Sequence, residues 1–144
     1  MKKILLIVIW TLGANITFSQ GNLGDTEEQI QIFFKDMNFT YESFRDINNM
    51  NELIYNAYNE DSTLQVIHYL STDGIVWGTI IYPITNLEFG VYLNLIDQQF
   101  VRMEPDEWHN YLSEGVVVIE LITEGAERPY FRITYEPYAW DYGY

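Results

Sequence analysis

The chain has 144 residues, no cysteine, and 12 Tyr, 8 Phe and 4 Trp, with a formal net charge of −14. Without cysteine there are no disulfides, no thiolate metal sites, no cysteine catalysis and no anchoring through a lipidated cysteine. So large an acidic excess disfavours nucleic acid and anionic membranes as partners and favours cations or a basic protein surface, although acidity also keeps an aromatic-rich chain in solution.

Lys2 and Lys3, the apolar run Ile4 to Leu12, and the small, polar stretch Gly13 to Ser19 follow the order of a secretory signal peptide. The apolar run is shorter than the ~20 residues that a bilayer span takes. Residues 1–19 are therefore read as a leader cleaved near Gln20. The mature chain is expected to be periplasmic or secreted, with no membrane span. The ending Phe18-Ser19-Gln20 resembles the signal peptides of exported Bacteroidota proteins, a resemblance of the leader that implies nothing about the fold. All acids lie after the leader, so the mature chain carries five bases against 21 acids, a net charge of −16. Roughly 124 residues suit one domain that buries a core without crosslinks. That domain is placed at 20–137, followed by an aromatic tail at 138–144.

Gly21 to Gly24 reads as a short flexible lead-in. Asp25 or Thr26 can cap a first helix, with Glu28 or Gln29 at capping-box distance. Ile30, Phe33, Phe34 and Met37 then form one apolar helical stripe, which Asn38 closes. Strands are expected at Phe39–Phe44, Leu53–Tyr58 and Leu64–Ser71, separated by polar loops at 46–51 and 59–62.

Asp73-Gly74 between apolar runs predicts a two-residue type I′ hairpin. The register that follows puts Leu70 opposite Trp77, Tyr69 opposite Gly78, His68 opposite Thr79, and Val66 opposite Ile81. One face would carry Val66, His68, Leu70, Trp77 and Ile81. The other would carry Ile67, Tyr69, Val76, Ile80 and Tyr82. Both are apolar, so the second face calls for a further layer, a partner or a ligand.

Pro83 ends the fourth strand, and Thr85 with Glu88 opens a second helix bearing Phe89, Tyr92, Leu93 and Ile96. Phe100–Met103 is a short strand. Glu104 to Glu107 is a turn leading into a helical turn with Trp108, and Trp108-His109 is placed at the surface. Val116–Ile122 and Tyr130–Glu136 complete the sheet, with Pro137 as the stop. The handovers at Asp36 to Phe39 and Asp97 to Phe100 echo each other, as if a helix–strand–strand–strand unit occurred twice, joined by the strand Ile75 to Tyr82. The expected fold is α+β: two helices packed on an antiparallel sheet of about six or seven strands.

No nucleophile motif, phosphate cradle or histidine pair at ligand spacing occurs. The adjacent acids Glu27-Glu28, Glu60-Asp61 and Asp106-Glu107 fall in caps and turns, where acids are expected without catalysis. A non-catalytic protein is therefore expected, with a small hydrolase using a carboxylate pair as the remote alternative. Calcium is the one cofactor the sequence offers, through the oxygen-rich loops Asn59 to Ser62 and Glu104 to Glu107, neither of which fits an EF-hand. Asp61-Ser62-Thr63 also resembles the acceptor pattern of Bacteroidota O-glycosylation, and Asn38-Phe39-Thr40 fits the N-glycosylation sequon. His68, mid-strand on an apolar face, reads as a neutral core residue before it reads as a base or ligand.

More aromatics are present than so small a core can bury, and Tyr and Trp anchor both protein interfaces and sugar platforms. The candidate binding residues are Trp77, His68, Tyr69, Tyr82, Trp140 and Tyr142. The expected role is an exported interaction module for a protein or peptide, basic by charge complementarity, and the sequence also admits a homo-oligomer. The alternative is a small-ligand or carbohydrate binder centred on Trp77 and His68.

Overall fold

Thr26 begins the first helix as the capping box predicts. Its backbone N–H donates to Gln29 Oε1 at 2.8 Å while Gln29 N–H returns to Thr26 Oγ1 at 3.3 Å. In the computed structural model, which describes residues 21–49 and 52–138, this helix is α1 (Glu27–Asp36). The leader, Gln20 and the tail residues 139–144, including Trp140 and Tyr142, lie outside the described residues. After α1 come β1 (Thr40–Asp46), β2 (Glu52–Tyr58), β3 (Leu64–Leu70) and β4 (Val76–Pro83). The second helix, α2 (Asn86–Gln99), leads into β5 (Val101–Glu104), β6 (Glu107–Tyr111), β7 (Gly115–Ile122) and β8 (Tyr130–Pro137).

The strands form a single antiparallel sheet in the order β1-β2-β3-β4-β8-β7-β6-β5. The fold is α+β, as the alternation and the two helical stripes require, but the sheet has eight strands rather than six or seven. The extra strand is β6, at the place where a turn and a helical turn were expected. Glu104 pairs with Glu107 across Pro105-Asp106, which makes a tight hairpin of the acidic run. Only Trp108 and Asn110 of β6 point inward, too few to display a period of two in the sequence. Each helix is thus followed by four strands, where the joining strand Ile75 to Tyr82 left three expected after the second.

Both helices lie on one face of this sheet. Ile30 and Phe34 of α1 pack with Tyr55, Ala57, Leu70 and Val76. Tyr92 and Ile96 of α2 pack with Val66, Ile81, Trp108, Ile119, Phe131 and Ile133. Trp108 is fully buried, the reverse of a surface turn, with its Nε1 donating to Asp97 Oδ1 at 2.7 Å and Arg102 stacked 5.0 Å above its ring. No helix among the described residues is long and apolar enough to cross a membrane.

Gly21 to Asp25 is built in rather than a loose lead-in. Gly21 and Asn22 are buried, Gly24 N–H donates to Val76 O, and Val76 N–H donates to Asp25 O, each at 2.9 Å. Gly21 has φ +66°, and a Cβ there would lie 2.8 Å from Ile133 and 2.9 Å from Thr79. Only glycine fits both the space and the backbone.

The β3–β4 hairpin decides which residues share a face. Its turn is not type I′: Gly74 has φ +76°, whereas Asp73 is not in the left-handed region. Gly74 N–H donates to Ser71 O at 2.9 Å, and Ser71 N–H donates to Ile75 O at 2.8 Å. This is a three-residue loop, a type I turn closed by a left-handed glycine. The longer loop moves the start of β4 by one, so Leu70 opposes Val76 instead of Trp77. A bulge then restores the expected pairing from Tyr69–Gly78 through His68–Thr79 to Val66–Ile81. Trp77 is the residue left over. A bulge re-aims the side chain it carries, and Trp77 and Val76 consequently exchange the faces expected for them: Val76 is buried beneath α1, and Trp77 is 49% exposed on the far side.

Candidate binding face

The face opposite the helices has no described element over it. The pairing registers assign its residues directly. One row crosses all eight strands, from Phe44 through Ile54, Tyr69, Gly78, Thr134, Val118 and His109 to Val101. Ile54, Val116 and Val118 are buried there, shielded by longer neighbours that form the surface above them.

The most prominent of those neighbours are aromatic. The Tyr69 and Trp77 rings lie 5.8 Å apart, and those of Tyr82 and Tyr130 lie 5.0 Å apart, both pairs tilted. Trp77 Nε1 donates to Glu52 Oε1 at 2.7 Å, which fixes the indole. Burial holds the Tyr69 phenol above its ordinary pKa, and Tyr82, Glu52 and Tyr130 add to the shift. Burial, then Tyr130, raises that of Tyr82. These phenols are neutral donors at physiological pH. Tyr82 and Tyr130 also form one wall of a cavity of about 590 Å³, completed by Gln65 and the β7–β8 loop residues Glu124 to Arg128.

Charge is sorted between the two faces. Glu42, Asp46, Glu52, Glu104, Glu107, Glu120 and Glu136 all stand at open-face register positions. The arginine on that face, Arg132, is spent on Glu120, with Nε and Nη2 at 2.9 and 2.8 Å from Oε2. Arg45 and Arg102 stand at helix-face register positions, opposite Leu53 and Trp108. Aromatic rings ringed by carboxylates favour a cationic guest, through ring quadrupoles and charge pairing together.

The structure therefore unites Trp77, Tyr69 and Tyr82 of the expected site and adds Tyr130, Glu52 and Gln65. Tyr130 was legible as the outward residue beside inward Phe131; its meeting with Tyr82 depends on the β4–β8 pairing. His68 is not part of this face. It is fully buried under α1, its ring stacked on Phe34 at 5.5 Å. Thr79 Oγ1 donates to Gly21 O and so accepts from His68 Nδ1–H at 2.7 Å, which leaves Nε2 bare and without a hydrogen-bond partner. Burial depresses its pKa to about 3. A site centred jointly on Trp77 and His68 is excluded, because the bulge puts them on opposite sides of the sheet.

His109, expected in a surface turn, stands on β6 between Glu107 and Tyr111. Its Nε2 lies 2.5 Å from Glu107 Oε1 and its Nδ1 3.2 Å from Tyr111 Oη. Every described Asp and Glu keeps some exposure. Among the described residues no group of three or more His, Asp or Glu is placed to hold a metal ion. In the loop expected to attract calcium, Asn59 Oδ1 accepts instead from the N–H groups of Thr63 and Leu64, at 2.8 and 3.0 Å.

No protein-family model matches the chain, and neither a curated protein nor a solved structure is found similar to it.

Proposed function

We propose that the chain is an exported, non-catalytic binding module that takes a basic protein or peptide on the open face of its sheet. The observation that carries this reading is the co-location of the Trp77–Tyr69 and Tyr82–Tyr130 pairs with seven strand carboxylates, one of them paired to Arg132, on the face no described helix covers. An exposed cation–π contact contributes about 0.5–1 kcal/mol and a desolvated one about 2, so two or three such contacts give useful affinity for Lys- or Arg-bearing partners. Export rests on the leader-like residues 1–19. A polypeptide partner accords with the breadth of the open face, whose row from Phe44 to Val101 crosses all eight strands.

The test is capture from the native cell envelope by the tagged chain and by its Trp77→Ala/Tyr82→Ala variant. A stoichiometric basic protein retained by the wild type and lost from the variant is the expected result. Equal retention by both, or no specific protein at all, contradicts the reading.

A second reading has its own observation. The cavity beside Tyr82 and Tyr130 combines rings with the Gln65 amide, the Arg128 guanidinium and two carboxylates, a lining suited to a sugar. Thermal-shift screening of neutral oligosaccharides tests it. Stabilisation abolished by Tyr130→Ala supports carbohydrate binding, and no shift with any sugar contradicts it.

A further inference from the structure

We propose that the partner of this module docks by adding an extended strand to the edge of β1, and that the docking strand carries the pattern basic–x–apolar–x–basic. The inference rests on the binding-module reading and specifies its geometry.

The two edges of the sheet are not alike. β5 is four residues long, and its pairing with β6 slips between Arg102 and Glu104. Short, irregular edges of this kind resist strand addition. β1 has seven residues, pairs with β2 at all seven without a slip, and is exposed along nearly its whole length. It has neither proline nor lysine. No described strand pairs with its outer edge, the arrangement that β-strand addition exploits.

Side chains on β1 then dictate what fits. Phe44, 51% exposed, ends the apolar row Phe44–Ile54–Tyr69 on the open face. A docking strand continues that row when it presents an apolar residue opposite Phe44. The residues two positions to either side oppose Glu42 and Asp46, so Lys or Arg belongs there. The two positions between face the helix side and meet Ser43 and Arg45, where neutral polar residues suffice.

A second copy of β1 does not satisfy this pattern. Coplanar antiparallel pairing keeps each residue on its own face, and the β1 acids stand on the opposite face from Arg45. Aligning Phe44 with Phe44 sets Glu42 against Asp46 twice, and aligning Ser43 with Ser43 sets Phe44 against Glu42. No such register pairs opposite charges, so a foreign strand is the occupant.

The experiment uses the full mature chain and a fluorescein-labelled peptide alternating threonine with lysine, valine and lysine. Three comparison probes accompany it: the same peptide with glutamate for lysine, the same peptide N-methylated at alternate residues, and the Glu42→Lys/Asp46→Lys chain. The lysine peptide is expected to bind at least about tenfold tighter than either altered peptide, and the double variant to prefer the glutamate peptide. Equal binding of the N-methylated peptide, or an unchanged preference in the double variant, overturns strand addition at β1. So does absence of peptide binding. If the envelope partner is then still lost with Trp77→Ala/Tyr82→Ala, the edge proposal falls alone and the open-face reading stands; if no partner is captured, both fall.

Discussion

The indole of Trp77 lies 5.8 Å from the ring of Tyr69 on the open face of the sheet, although simple alternation along β4 puts it beneath the helices. A bulge makes that contact by adding one residue to β4 where Tyr69 opposes Gly78 and Leu70 opposes Val76. The same slip lets Val76 fill the core under α1. One irregularity therefore serves packing on one side and supplies a ring to the other.

Because Trp77 is half-exposed, its removal should cost binding rather than stability. Trp77→Ala is expected to lower the unfolding free energy by only about 1–2 kcal/mol, through the lost Tyr69 contact and Glu52 hydrogen bond. Urea denaturation checks this. A loss of about 3 kcal/mol or more would place Trp77 in the core instead.

The turn that sets the bulge depends on Gly74. At φ +76°, with nothing within 4 Å of where a Cβ would stand, its requirement is conformational and not steric. Gly74→Ala should destabilise by about 1 kcal/mol, and Gly74→Asn by less, since asparagine tolerates the left-handed region. Equal stability of all three chains in urea would contradict the turn geometry.

Trp108 provides the contrasting case. It is fully buried, between Arg102 and Phe131, and tied to Asp97. Trp108→Ala should cost about 3–5 kcal/mol, as large-to-small core changes do. Trp108→Phe should cost less, because most of the apolar volume remains and Asp97 is exposed to water. Near-neutral Trp108→Ala would return β6 to the surface turn expected from sequence.

His68 makes stability depend on pH. Its folded pKa is depressed to about 3 from an ordinary 6.5 by burial, so the unfolded chain binds the proton first as pH falls. Its stabilising share is complete above about pH 6.5 and declines below it, by up to about 1.4 kcal/mol per pH unit down to pH 3. Over pH 6.5 to 5, before most carboxylates titrate, that amounts to roughly 2 kcal/mol at most. The His68→Gln chain should lack this component. Wild-type and variant stability curves that run parallel over the interval would contradict a buried neutral imidazole.

Much of this architecture could be read from local pattern. The stripe Ile30, Phe33, Phe34, Met37 and the capping residues Thr26 and Thr85 give both helices, and strand alternation gives seven of the eight strands. His68 lies in the core, as its place mid-strand on an apolar face suggests, and not on the binding face to which it was also assigned. What escaped was decided by tertiary pairing. β6 has few inward side chains, and its tryptophan becomes core only once α2 and β8 close over it. The Val76–Trp77 exchange follows from a turn one residue longer than Asp73-Gly74 suggests, offset by a bulge that no periodicity marks. Tyr130 reaches Tyr82 because β8, from the end of the chain, inserts beside β4. The segregation of Arg45 and Arg102 from the strand acids likewise emerges only when all the registers are known.

The open face, not the helical face, is proposed to meet the partner. Hydroxyl-radical footprinting of the chain, with and without a solubilised native envelope, reads this directly. Trp77, Tyr82 and Phe44 are expected to become protected, while Leu87 and Val91, exposed on α2, react as before. Protection of Leu87 and Val91 with Trp77 unchanged, or no protection anywhere, would contradict it.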